Sequence, residues 1–107
     1  MTSSPGDDAM FVVGRFGIIE DVNDAALVLT GYTREELVGA HGTLLISADA
    51  QPATAVSMDR MRRGEISQQR GRRLRRKDGG EIVIDVRAQV LPGERLALFL
   101  RRRSDGE

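Results

Sequence analysis

Two glycines, Gly31 and Gly39, constrain this chain more than any other residues. They cut residues 21–39, DVNDAALVLTGYTREELVG, into two helices too short to persist without packing. An apolar, extended run over 18–22 must give way to a helix at Asn23-Asp24, where either side chain can accept a hydrogen bond from free backbone donors. Ala25, Leu27, Val28 and Leu29 complete about two turns before Gly31, whose tolerance of positive φ suits the position past a helix C-terminus. Thr33-Arg34-Glu35-Glu36 has the form of a capping box, with Thr33 bonding forward to the backbone of Glu36 and the Glu36 side chain reaching back. Gly39 ends that second helix.

Further along, the apolar spacing first turns helical and then alternates. Leu44, Leu45 and Ile46 allow one turn. Ser47 or Asp49 can cap a longer helix over 52–63, with Pro52 in its first turn, Ala55, Met58 and Met61 as an apolar stripe, and Gly64 beyond its end. Residues 66–76 are polar but extended, and Asp78-Gly79 is a strong hairpin signal. In 81–91, Ile82, Ile84, Val86, Ala88 and Val90 share one face, and Val83, Asp85, Arg87, Gln89 and Leu91 the other. Pro92-Gly93 makes a further turn. Residues 95–101 then place Leu96, Leu98 and Leu100 on one face and Ala97 and Phe99 on the outer one. With strands over 9–13 and 16–22 at the start, strands before and after a helical block predict an α+β layer architecture.

The 107 residues, 40% hydrophobic and 30% charged, fit one domain over 9–103 with flexible tails at 1–8 and 104–107. No apolar run approaches the ~18 residues of a membrane span, and the opening MTSSPGDD lacks the regions of a signal peptide, so the expected location is the cytoplasm. Lack of cysteine removes disulfides, thiolate metal sites and thiol nucleophiles together. The net charge of zero conceals two halves. Residues 1–59 hold nine acids and two bases, and residues 60–107 hold seven acids and fourteen bases, so the halves attract.

Motifs that suggest other chemistry have simpler readings. Gly14-Arg15-Phe16-Gly17 joins strand-like segments, not the helices that flank an RNA-binding GxxG loop, and reads as a hairpin turn. Glu20-Asp21 and Glu35-Glu36 are adjacent carboxylates whose side chains diverge. His41 is the sole imidazole and has no second His or Cys with which to build a metal or nucleophile site. Strand alternation puts Arg70, Arg72 and Leu74 on one face and Arg73 and Arg75 on the other, which splits the basic run, and four aromatic residues offer little base stacking. Nucleic-acid binding is therefore not expected, and no catalytic constellation is present.

Residues 21–39 resemble the signature of PAS sensor domains at Val22-Asn23, Ala25-Ala26, Gly31-Tyr32, Thr33, Glu35-Glu36, Leu37 and Gly39. Residues 74–80, LRRKDGG, resemble a second element of that family. The resemblance implies a five-stranded antiparallel sheet in the order 2-1-5-4-3, covered on one face by helices. It also implies structural roles for Asn23, Gly31, Tyr32, Glu36, Gly39, Lys77 and Gly79, with Glu36 and Lys77 as partners. A cavity between helices and sheet would be lined from Val22, Leu27, Leu37, Leu44, Val56, Met58, Met61, Ile84, Val86, Leu98 and Leu100.

Cofactors of the family can be compared with these residues. The photoactive flavin branch, LOV, needs a cysteine. Haem-binding relatives use a His on the long helix, and 52–63 contains none. Redox flavin relatives often surround the ring with Trp, which is absent. The expectation is a small apolar or metabolite-like ligand and a sensory role; the alternative is a ligand-free interaction module with a filled core. Neither is an enzyme.

In many PAS domains an amphipathic helix ahead of the first strand covers the outer sheet face. Only the polar residues 1–8 precede the strand here, so Val83, Leu91, Ala97 and Phe99 are expected to meet a second copy or a partner signalling domain, with arginines facing Glu20 and Asp21 across a two-fold axis. The Asp-Ile-Thr that usually follows the family's last strand is replaced by RRRSDGE, which leaves open a domain cut from a longer chain or a protein that signals by association.

Overall fold

The structure, a computed structural model, describes residues 8–103. The expected tails therefore lie outside the described residues, except for Asp8. That residue is held in place: its carboxylate accepts from Arg101 Nε at 3.1 Å and from Arg87 Nη2 at 3.4 Å, and its carbonyl accepts from Asn23 Nδ2.

The chain begins with strands β1 (Ala9–Val13) and β2 (Ile19–Val22), joined through Gly14 to Gly17 as a hairpin. Helix α1 (Asp24–Thr30) follows, capped by Asn23 and ended by Gly31 at φ 82°. Helix α2 (Arg34–Leu37) carries the full capping box of Thr33 and Glu36. Short 3-10 turns at Gly42–Leu45 and Ala48–Ala50 lead into helix α3 (Gln51–Arg62). The chain closes with β3 (Gln68–Arg75), β4 (Glu81–Leu91) and β5 (Arg95–Arg102). Neither Ser47 nor Asp49 caps α3, which starts directly from the preceding 3-10 turn with Ala50 at its N-cap.

All strand pairs are antiparallel and the sheet order is β2-β1-β5-β4-β3, the order implied by the resemblance. Alternation divides the sheet. Ala9, Phe11 and Val13 of β1 pair with Leu100, Leu98 and Leu96 of β5 on the helix-covered face, while Met10 and Val12 lie opposite with Phe99 and Ala97. The core joins these inner residues to Ile19, Val22, Ala26, Leu37, Leu45, Leu74, Ile82 and Ile84. Val90 shares the inner parity of β4 but is exposed, because it lies near the strand end where the sheet meets water.

The basic run of β3 does not alternate as expected. Gln69 pairs with Val86 and Arg72 with Ile84, so β3 advances three residues while β4 advances two. The extra residue is a bulge at Gly71, φ 70°, whose N–H bonds Asp85 Oδ1 at 3.0 Å. The bulge resets the alternation. Arg72 keeps the face of Leu74, but Gln69, in place of Arg70, joins it there.

Candidate ligand cavity

Helix α3 stands off the sheet because of what it turns inward. Its cavity side carries Thr54, Ala55, Ser57, Met58 and Met61, and only Met61 is buried. Small and polar side chains cannot fill the gap that a row of leucines would close. A cavity of about 350 Å³ remains, floored by Phe11 and Val13 of β1, Ile84 and Val86 of β4, and Leu98 and Leu100 of β5. Ile19, Leu45 and Leu74 close its sides, and Arg15, Phe16, His41 and Arg62 stand around one end.

The sequence-predicted lining divides in two. Met58, Met61, Ile84, Val86, Leu98 and Leu100 do face the cavity. Val22 and Leu37 instead belong to the packed core, with Leu27 and Leu44 against it, where α1, α2 and the first 3-10 turn cover the sheet. Val56 does not line the cavity: it is 61% exposed, since it falls on the side of α3 opposite Met58. Sequence reasoning missed Phe11, Val13, Leu45, Thr54, Ser57, Gln69 and Arg72 as lining residues. The alternation that pairs Arg72 with Leu74 was a signal for the last of these.

Among the described residues the lining holds arginines and a histidine but no carboxylate. Most of its cations already have partners. Arg73 bonds Asp49 at 3.1 Å and Glu81 at 3.4 Å, and this guanidinium holds the Asp49 carboxyl below its ordinary range. Arg62 donates to the carbonyls of Glu94 and Gly14, both at 3.2 Å. Arg15 lies over the ring of the exposed Phe16, 4.8 Å from its centroid. His41 is exposed and works locally: its Nδ1 accepts from Thr43 N–H, and its ring packs so closely on Gly17 that a Cβ there would lie 2.6 Å from Nε2.

The residues assigned structural roles tie the short helices to the sheet and to the β3–β4 hairpin. Asn23 Oδ1 accepts from Ala26 N at 3.0 Å and from Met10 N at 2.9 Å, so one side chain caps α1 and ties it to β1. Gly31 ends α1, and Lys77 N–H bonds the Thr30 carbonyl at 2.9 Å. Lys77 Nζ reaches Glu36 Oε2 at 2.7 Å and lies 5.9 Å from the Tyr32 ring centroid. Gly79 takes φ 90° at the hairpin tip, and Gly39, φ 94°, bonds the Ile19 carbonyl.

On the outer face Val83 is 39% exposed and Leu91 and Phe99 are half-buried, with Arg87 5.5 Å over the Phe99 ring. Ala97 is not available, being 5% exposed in the middle of the sheet. Glu20 and Asp21, expected to meet arginines of another copy, bond Arg95 and Arg34 within the same chain at 3.1 and 3.4 Å.

With this geometry established, comparison with known proteins assigns the family. The family model for the PAS domain matches residues 7–100. The chain belongs to the PAS domain family. No curated protein matches it. Among solved structures, this PAS domain is similar to a domain of the sensory box sensor histidine kinase/response regulator from Geobacter sulfurreducens, at 25% identity and TM-score 0.78, over 91% of this chain and 84% of that one. A PAS domain from Colwellia psychrerythraea aligns at 22% identity and TM-score 0.80, over 90% and 86%. The PAS domain of the Cronobacter turicensis RpfR quorum-sensing receptor, in complex with C12:0, aligns at 18% identity and TM-score 0.79, over 96% and 100%. PAS domains are sensory signalling modules, and among the described residues no helix is long and apolar enough to cross a membrane.

Proposed function

We propose that this PAS domain senses a small, largely apolar ligand held between α3 and the sheet, and passes its occupancy to an associated output domain or partner. The observation that carries this reading is the cavity of about 350 Å³ with an apolar floor, which lies within the size range of small-molecule sites. A filled core, as a purely structural interaction module would have, fits that volume poorly. The similar domains named as a sensor kinase part and as a complex with C12:0 are consistent with it. Occupancy would be felt first by α3, whose inward face makes few apolar contacts, and by β4 and β5, whose outer side carries Val83 and Phe99.

Native mass spectrometry of the purified chain is expected to show an added mass that denaturation releases. Ligand at about a hundredfold excess over Kd should stabilise the fold by ~2.7 kcal/mol, a rise of several degrees in Tm. A Leu98→Trp variant that fills the floor should stay folded and lose that rise. A shift of equal size in the filled variant would rule out the cavity as the site.

A further inference from the structure

The cavity has a polar end, and its chemistry is one-sided. Arg72 stands on the core face of β3, opposite Ile84, which is 3% exposed. It is there because regular alternation from Leu74 turns it to that face, and the Gly71 bulge makes Gln69, not Arg70, its neighbour there. The two side chains meet α3 through single hydrogen bonds, Arg72 Nη2 to Thr54 Oγ1 at 3.3 Å and Ser57 Oγ to Gln69 Oε1 at 3.2 Å.

A guanidinium has five N–H donors in a fork that matches a carboxylate, and Thr54 accepts one. Among the described residues Arg72 makes no ion pair, whereas Arg73 beside it is paired with Asp49 and Glu81. A half-buried cation at the edge of an apolar cavity, with no carboxylate in the lining among the described residues, is electrostatically incomplete. A ligand that brings a negative charge to this end, and an aliphatic tail to Val86, Leu98 and Leu100, would complete it.

We propose that the ligand class is an amphiphile with an anionic head and an alkyl tail, a medium- or long-chain carboxylate, with its head on the Arg72 guanidinium and its tail over the inner faces of β4 and β5. The proposal rests on the cavity being the ligand site. It adds that the head is read by charge, at a residue that strand alternation turns to the core face beside Gln69.

Calorimetric titration of the delipidated full chain with decanoate and with decanol separates the two ideas, since both carry the same tail. The carboxylate should bind about ten- to a hundredfold more tightly, the range of a charge-assisted hydrogen bond. In Arg72→Gln that preference should vanish while decanol binding is retained, and in Arg75→Gln, which removes an exposed guanidinium from the same strand, it should persist. Equal binding of alcohol and carboxylate by the unaltered chain, or a preference that survives Arg72→Gln, overturns the charge readout and leaves the apolar cavity standing. Failure of both probes to bind any variant overturns the proposal together with the cavity reading beneath it. Retained decanol binding shows that Arg72→Gln is folded, and Arg72→Lys, which keeps the charge but not the fork, should keep part of the preference.

Discussion

Glu36 serves two elements with one carboxylate. Its Oε1 accepts from Thr33 N–H at 2.9 Å to complete the capping box, and its Oε2 takes Lys77 Nζ at 2.7 Å, so capping and pairing do not compete. The Lys77 bond foremost, and then the Thr33 backbone bond, hold the Glu36 carboxyl below its ordinary range. A depressed pKa contributes stability that is present above the unfolded-state value and lost as pH falls through the folded one, so the effect lies on the acid side, below about pH 4.3. Asp49 beside Arg73 and Glu65 beside Arg63 are lowered too and add with the same sign. In Lys77→Met, NMR titration should show the Glu36 pKa rising toward the ordinary glutamate value yet staying slightly below it, because the Thr33 bond remains. Asn23 is the other residue with two duties. Asn23→Ala removes a cap and the bond to Met10 N at once, and denaturant unfolding should record a loss of about 1–3 kcal/mol.

Among the elements, α3 is the one whose packing departs most from its sequence pattern. Its stripe of Ala55, Met58 and Met61 is real in spacing, yet only Met61 reaches the core fully. Met61→Ala should cost ~2 kcal/mol, the low end for such a deletion, because the adjoining cavity already denies the side chain contacts on one side. Val56→Ala, on the outer side of the helix, should change stability by less than ~0.5 kcal/mol. Urea midpoints of the two variants measured side by side would expose any error in this placement of the helix face. The loose roof and the small residues that cause it belong together: an α3 with leucines at 54 and 57 would pack tightly and leave no room for a ligand.

At the scale of the molecule, the acidic first half and basic second half close on each other through specific pairs. Asp8 meets Arg87 and Arg101, Glu20 meets Arg95, Glu36 meets Lys77 and Asp49 meets Arg73. Apart from the Asp8 carboxylate these groups are largely exposed and the pairs individually weak, and their joint effect is to hold N-terminal elements to the C-terminal hairpins. They also use the acids that a two-fold partner would need, so association through the outer face has to rest on Val83, Leu91 and Phe99. If that face joins two copies, sedimentation at high micromolar concentration should show a dimer, and Phe99→Glu should return it to monomer. A monomer unaffected by that change would leave the face to a different protein.

What the sequence determined alone was local. Asn23, Thr33 and Glu36 bond to backbone within three residues, Gly31 ends α1 through positive φ, and Gly39 takes positive φ in the turn after α2, whose own end is the extended Val38, so the caps and breaks follow from neighbours in the chain. Strand faces of β4 and β5 were equally legible, because alternation is a rule of adjacent residues. Tertiary structure decided the rest. The bulge at Gly71 inserts one residue and reverses the alternation behind it, which sends Gln69 inward and leaves Arg70 outside. The side of α3 that meets the sheet was open to error at Val56, since a helix with few large apolar residues gives a weak periodic signal. The cavity itself is a distance between α3 and the sheet, filled or left open by side chains from β1, β4, β5 and α3 together, and no run of neighbouring residues encodes that distance.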